Sequence, residues 1–373
     1  MNPELLFSLQ ATLIGGLLLL IFQTHSRLIQ LQILIWTIAV VAIVWRFGVV
    51  YQNLDFYSND QWYYVRIVQR FIDEPSKLLD SYSWESLKLP YTGPAYLLAL
   101  MGIHPALALK TVSLICLIML SSAVLQELQS NSNLTDVRTL YMTGCGGIGV
   151  FFSTLALRET MMMLFVLLFL KQKTLVYQVA LLVLIFMLRS HLALSLVFAW
   201  IVVTLWNRWQ ASKRFGVFGA LVLIAIGSLI GKLALTLQIT TLTNVDISVF
   251  TDWGTRDVVK LVSNFFGLQF LTNEDENINF SIPLLLALRL VFTETIVIPS
   301  LFILRTINYH KSLSGAHQLV LIAFSFYTAI AINTNFNSFR QNIPIISCMG
   351  LIALESRLSS KRLRKVRQSQ GAA

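Results

Sequence analysis

The chain has 373 residues, 56% of them hydrophobic and 12% charged, with a mean hydropathy of +0.70. A soluble domain averages about a quarter charged residues and under half apolar ones, so a soluble enzyme, a disordered tail and a disulfide scaffold are all excluded. The net charge is +10, but the basic residues lie in short gaps between apolar runs. That pattern orients a membrane protein and does not build a nucleic-acid face.

Read in chain order, Met1-Asn2-Pro3-Glu4 lacks a basic leader region, and no small-residue cleavage signal follows Ile21. The first apolar run is therefore expected to be retained as a span. A helix crossing the hydrocarbon needs about 20 mostly apolar residues. Runs at 5–22, 29–50, 107–125, 139–157, 215–237, 282–304, 316–334 and 341–356 qualify. Shorter runs at 160–170, 174–188 and 192–206 bring the expectation to about 11 spans. Cys116, Cys145 and Cys348 each sit alone inside an apolar run, so they read as small buried hydrophobes with no zinc or redox spacing.

The expected architecture is an all-α polytopic membrane bundle over 1–356, with outer loops at 51–93 and 238–281 and a basic cytoplasmic tail at 357–373. Orientation follows from the tail, where Arg357, Lys361, Arg362, Arg364, Lys365 and Arg367 crowd together. Counting back places Arg27, Arg138, Lys171, Lys173, Arg208, Lys213, Arg214, Arg305 and Lys311 on the same side, against only Glu127, Asp136 and Glu355. The N-terminus then lies outside, and changing one short run from span to non-span would flip it. Anionic lipid, not nucleic acid, suits the tail.

The first outer loop holds Phe56-Tyr57-Ser58-Asn59-Asp60-Gln61-Trp62-Tyr63-Tyr64. A partly desolvated carboxylate among aromatic rings suits a general base or a metal ligand facing a sugar, with Tyr57, Trp62 and Tyr63 as stacking surfaces. The same residues also read as a helix start, with Ser58 and Gln61 as a capping box or Asp60 as the cap, and with rings in the interfacial belt. After Asp60, the apolar residues Tyr64, Val65, Ile67, Val68, Phe71 and Ile72 oppose Arg66, Gln69, Arg70 and Asp73 at helical spacing. The second outer loop repeats this design, with Val258, Val259, Leu261, Val262, Phe265 and Phe266 opposite Asp257, Lys260, Ser263 and Asn264. Both are expected to lie in the outer membrane interface, apolar side down.

Gly144-Cys145-Gly146-Gly147-Ile148-Gly149 matches a dinucleotide fingerprint only formally; inside a span, close helix packing explains it better. Next comes Arg158-Glu159. The run at 160–170 is about 16 Å of helix, too short for a core of about 30 Å, so the helix is expected to begin earlier and to draw both charges below the outer surface. Arg189-Ser190-His191 interrupts the bundle in the same way. Charges at such depth line a cavity or pair with one another. The structural alternative is an Arg158–Glu159 pair with Arg189 snorkelling to the interface. Arg289 and Glu294 are poorly spaced to pair at i, i+5, and one or both are expected to face the bundle interior. The last outer turn, Asn333 to Asn342, carries Arg340, which could hold a phosphate or simply belong to an exposed hairpin.

In this order the pieces resemble the GT-C type of membrane glycosyltransferase and the related multi-span polymerases of bacterial surface polysaccharide, such as exopolysaccharide and O-antigen. The residues carrying the likeness are Ser58 to Tyr64, the proline-bearing Leu89-Pro90-Tyr91-Thr92-Gly93-Pro94 and its continuation to Ser113, then Arg158-Glu159 and Arg340. It is best over about 40–190. The family motifs often carry adjacent acids, whereas Gln61 follows Asp60 here, so a divalent metal has no clear ligand set and the cofactor stays open.

The resemblance implies an inner-membrane enzyme that transfers a glycosyl unit from a polyprenyl-(pyro)phosphate-linked donor at the outer face. Its partners would be that lipid-linked glycan, membrane lipid and other polysaccharide-assembly proteins. Asp60 would act as base or orient the acceptor, with Glu159 in support. Arg158 would bind substrate, and Arg189, His191 and Arg340 would hold the departing phosphate. Two other readings account for buried charges: a flippase or transporter for a lipid-linked glycan, and a non-enzymatic assembly subunit.

Overall fold

The computed structural model describes residues 60–79, 88–131, 143–145, 149, 152–153 and 155–208, with a few helical positions between 319 and 351. Among the described residues all regular structure is helical and no strand occurs. Those up to Leu188 belong to one compact unit; those from Arg189 onward belong to a second.

In the first unit, α1 (Asp60–Asp73) is followed by a 3-10 segment (Pro75–Leu79), α2 (Leu89–Leu100), α3 (Pro105–Asn131), α4 (Glu159–Lys171) and α5 (Leu175–Leu188). The second unit contributes α6 (Ser190–Arg208). The expected amphipathic helix is present as α1: Tyr64, Val65, Ile67, Val68 and Phe71 are buried, while Arg66, Gln69, Arg70 and Asp73 are exposed. Its apolar side does not lie on a membrane surface. It packs on α2 and α3, with Tyr64 edge-on to Tyr91 and Phe71 edge-on to Tyr96. Aromatic rings of that size find more dispersion contact against other helices than against loosely ordered lipid. The second such helix, at 257–267, lies outside the described residues.

Proline and glycine set the α2–α3 hairpin. Pro90 falls in the first turn of α2, where a missing N–H costs nothing. Gly102, at φ 88°, ends the helix in a left-handed cap: its N–H bonds the Ala99 carbonyl, and the Ile103 N–H bonds that of Leu98. His104 then opens α3, its Nδ1 accepting from the Ala106 N–H.

Contacts along α3 fix how its neighbours stack. Tyr91 reaches the Leu109 carbonyl and Ser113, so α2 runs back beside the first third of α3. The Ser113 hydroxyl donates to the Leu157 carbonyl, and Lys171 Nζ donates to that of Ala123, so α4 runs parallel to the later part of α3. α5 returns alongside α4, and its last carbonyls, Met187 and Leu188, accept from Lys88 at the start of α2. The unit is therefore two tiers along one long helix, α1 with α2 beside its beginning and α4 with α5 beside its continuation. Ser113 is eight residues past Pro105, which puts the junction about 12 Å along α3.

This arrangement revises one expectation. α4 does not begin before the Arg158-Glu159 pair; it begins at Glu159, after a turn at 155–158. Its 13 residues give about 20 Å of helix, packed beside the later part of α3. The expected span at 139–157 is also interrupted. Gly144 takes φ 71° within a turn at 143–145, and its carbonyl accepts the Gly149 N–H.

One helix among the described residues, Pro105–Val124, is long and apolar enough to cross a membrane; Leu175–Leu188 and Ser190–Ile201 are shorter apolar helices. The runs at 5–22, 29–50, 215–237 and 282–304 lie outside the described residues. Cys116, Cys145 and Cys348 are buried free thiols, as their apolar settings suggested.

Candidate functional site

At the tier junction the chain buries an unusual amount of polarity. Gln61, Thr92, Ser113, Glu159 and Thr160 are all enclosed, with Glu159 at 0% exposure. The Gln61 Oε1 accepts from the Ala156 N–H at 3.1 Å, tying the first turn of α1 to the turn that precedes α4. This satisfies a backbone donor that no helix serves, since the chain is not helical at 155–158. Arg158 adopts φ −82° and ψ 0°, between the helical and extended regions, and provides no side-chain cap for α4. Its guanidinium instead lies over the Tyr64 ring, 5.6 Å from the centroid. A partly desolvated cation gains more from a ring face than an exposed one does.

Tyr64 stands edge-on to Tyr91 at 5.3 Å, and Tyr91 reaches Ser113 at 3.0 Å. Tyr91 is fully enclosed there, so its hydroxyl finds its partners inside the protein. Glu159 opens α4, where the positive end of the helix dipole favours a negative charge.

The site residues nominated from the sequence separate into groups. Arg158 and Glu159 sit at the junction. Asp60 is exposed at the start of α1, next to Gln61, so it borders the same turn from the solvent side. Trp62 is half-buried and Tyr63 is 39% exposed, with Tyr63 edge-on to Tyr64. Arg189 and His191 belong to the second unit. Arg189 is 8% exposed, so it is not a side chain snorkelling into solvent, and its carbonyl accepts the Leu192 and Ala193 N–H groups at the start of α6. His191 is half-buried, and its carbonyl accepts the Ser195 hydroxyl. Tyr57, Arg289, Glu294 and Arg340 lie outside the described residues.

Tyr64, Tyr91, Ser113 and the buried role of Gln61 were not nominated. Tyr64 read as one more apolar position of α1, and Gln61 as part of a cap. A clue was present in Tyr91-Thr92-Gly93-Pro94, where hydroxyls accompany two prolines in an otherwise apolar stretch. Among the described residues, no three His, Cys, Asp or Glu side chains converge as a metal ion would require. No family model, no curated protein and no solved structure matches the chain.

Proposed function

We propose that the chain is an integral membrane enzyme of surface-polysaccharide assembly, transferring a glycosyl unit from a polyprenyl-(pyro)phosphate-linked donor at the non-cytoplasmic face. Membrane residence is supported by the apolar length of α3 and by the surface of α5, where Leu175, Val176, Tyr177, Val179, Val183 and Phe186 are exposed and only Ile185 and Leu188 are buried. Such a surface is stable against acyl chains and costly against water.

The observation that carries the catalytic reading is the Arg158–Glu159 turn, sunk among helices yet bonded through Ala156 to the residue beside exposed Asp60. An acceptor hydroxyl could meet the Asp60 carboxylate from the aqueous side, with Trp62 and Tyr63 offering faces to a sugar ring. Asp60 takes or orients its proton; Glu159 sets the field beneath; Arg158 stabilises charge on the departing phosphate. In cells that make the polymer, Asp60→Asn and Glu159→Gln at unchanged protein level should each lower glycan formation at least about a hundredfold. Undiminished polymer in both variants contradicts the reading.

A second reading has one observation in its favour. The N-terminal ends of α1, α2 and α4 and the C-terminal end of α5 meet at one level, and helices interrupted at membrane depth are a feature of transporters. A lipid-linked glycan carrier would use the same basic and aromatic groups without forming a bond.

A further inference from the structure

Hydroxyls inside helices usually bond back to their own backbone, and several here do. Thr92, Thr111, Ser195 and Thr204 each donate to the carbonyl four residues earlier. Ser113 departs from this. Its hydroxyl donates at 2.8 Å to Leu157, on the far side of the tier junction. The carbonyl four residues earlier, that of Leu109, lies 3.3 Å from the Tyr91 hydroxyl. Because a serine has one proton and that proton goes to Leu157, Tyr91 is the donor in its 3.0 Å contact with Ser113, and the longer approach to Leu109 shares the same phenolic proton. One buried oxygen thus joins α2, α3 and the residue immediately before Arg158.

We infer that Ser113 and Tyr91 are positioning residues that set where the Leu157–Glu159 turn stops, and so aim Arg158 and Glu159 at the substrate. The turn has no side-chain cap of its own, and its geometry is borrowed from α2 and α3. The role in transfer rests on the glycosyl-transfer reading; the joint itself does not. Both buried hydroxyls are small deletions that leave ring and helix in place.

The test uses the purified full-length protein in lipid nanodiscs and has two readouts. Ser113→Ala and Tyr91→Phe should each raise amide hydrogen exchange at 155–160 by about tenfold, while residues 164–170 change less than about twofold. The double variant should be no worse than Ser113→Ala alone, since Tyr91 acts on the turn only through the Ser113 oxygen. In transfer from an undecaprenyl-pyrophosphate-linked oligosaccharide, the variants should lower kcat about tenfold with KM within about twofold. Unchanged exchange at 155–160 overturns the joint. Raised exchange with unchanged kcat overturns its role in aiming the pair. If the unaltered protein forms no longer glycan, the glycosyl-transfer reading has failed instead, and the exchange result still decides the joint.

Discussion

Arg158 is held by a ring, and that choice has a measurable consequence. A guanidinium over a desolvated aromatic face gains about 1–2 kcal/mol, and truncating either partner forfeits it. A double-mutant cycle on Tyr64→Leu and Arg158→Met should therefore return a coupling of about 1–2 kcal/mol in reversible unfolding, with additivity contradicting the contact. The charges themselves were legible in the sequence, because an arginine and a glutamate between apolar runs are conspicuous whatever surrounds them. Their company was not. Gln61 and Ala156 are 95 positions apart and Ser113 and Leu157 are 44 apart, so no local spacing announces either bond. A buried serine looks like any other helical serine until its proton is followed.

At the level of elements, periodicity served well where one side of a helix is polar. The apolar and charged sides of α1 follow its pattern except at Ile72, which is only half-buried, but the pattern is silent on what covers the apolar side, and protein covers it here. Span lengths were less informative. An 11-residue apolar run invites extension until it crosses the membrane, whereas the chain stops α4 at Glu159 and stacks a second tier beside α3. Glycine spacing pointed correctly to tight packing. A Cβ on Gly149 would collide with the Gly144 carbonyl oxygen and lie 2.7 Å from a Leu117 methyl, and the backbone atom cannot yield cheaply. Gly149→Ala should cost about 1–3 kcal/mol, read as a lower denaturation midpoint in detergent. A midpoint equal to that of the unaltered protein would mean that the Gly144–Gly149 contact is not held against α3.

At the largest scale, the described residues are all helical and α5 presents an apolar surface, in keeping with the chain's composition. The function depends on finer matters. Two tiers meeting beside one long helix create a level at which the backbone leaves regular structure, and at membrane depth such backbone is tolerated where protein or a water-filled recess satisfies it. Gln61 and Ser113 supply part of that satisfaction, and Arg158 and Glu159 supply the charge. The same level would serve a carrier that moves a lipid-linked glycan or an enzyme that extends it. The two differ in one product: a new glycosidic bond. The decisive measurement reconstitutes the purified chain in sealed proteoliposomes containing a fluorescent undecaprenyl-pyrophosphate-linked oligosaccharide, then resolves the glycans by mass. The account requires longer glycans, formed by the unaltered protein and lost at least about a hundredfold with Glu159→Gln. Oligosaccharide that changes leaflet but never mass would contradict it.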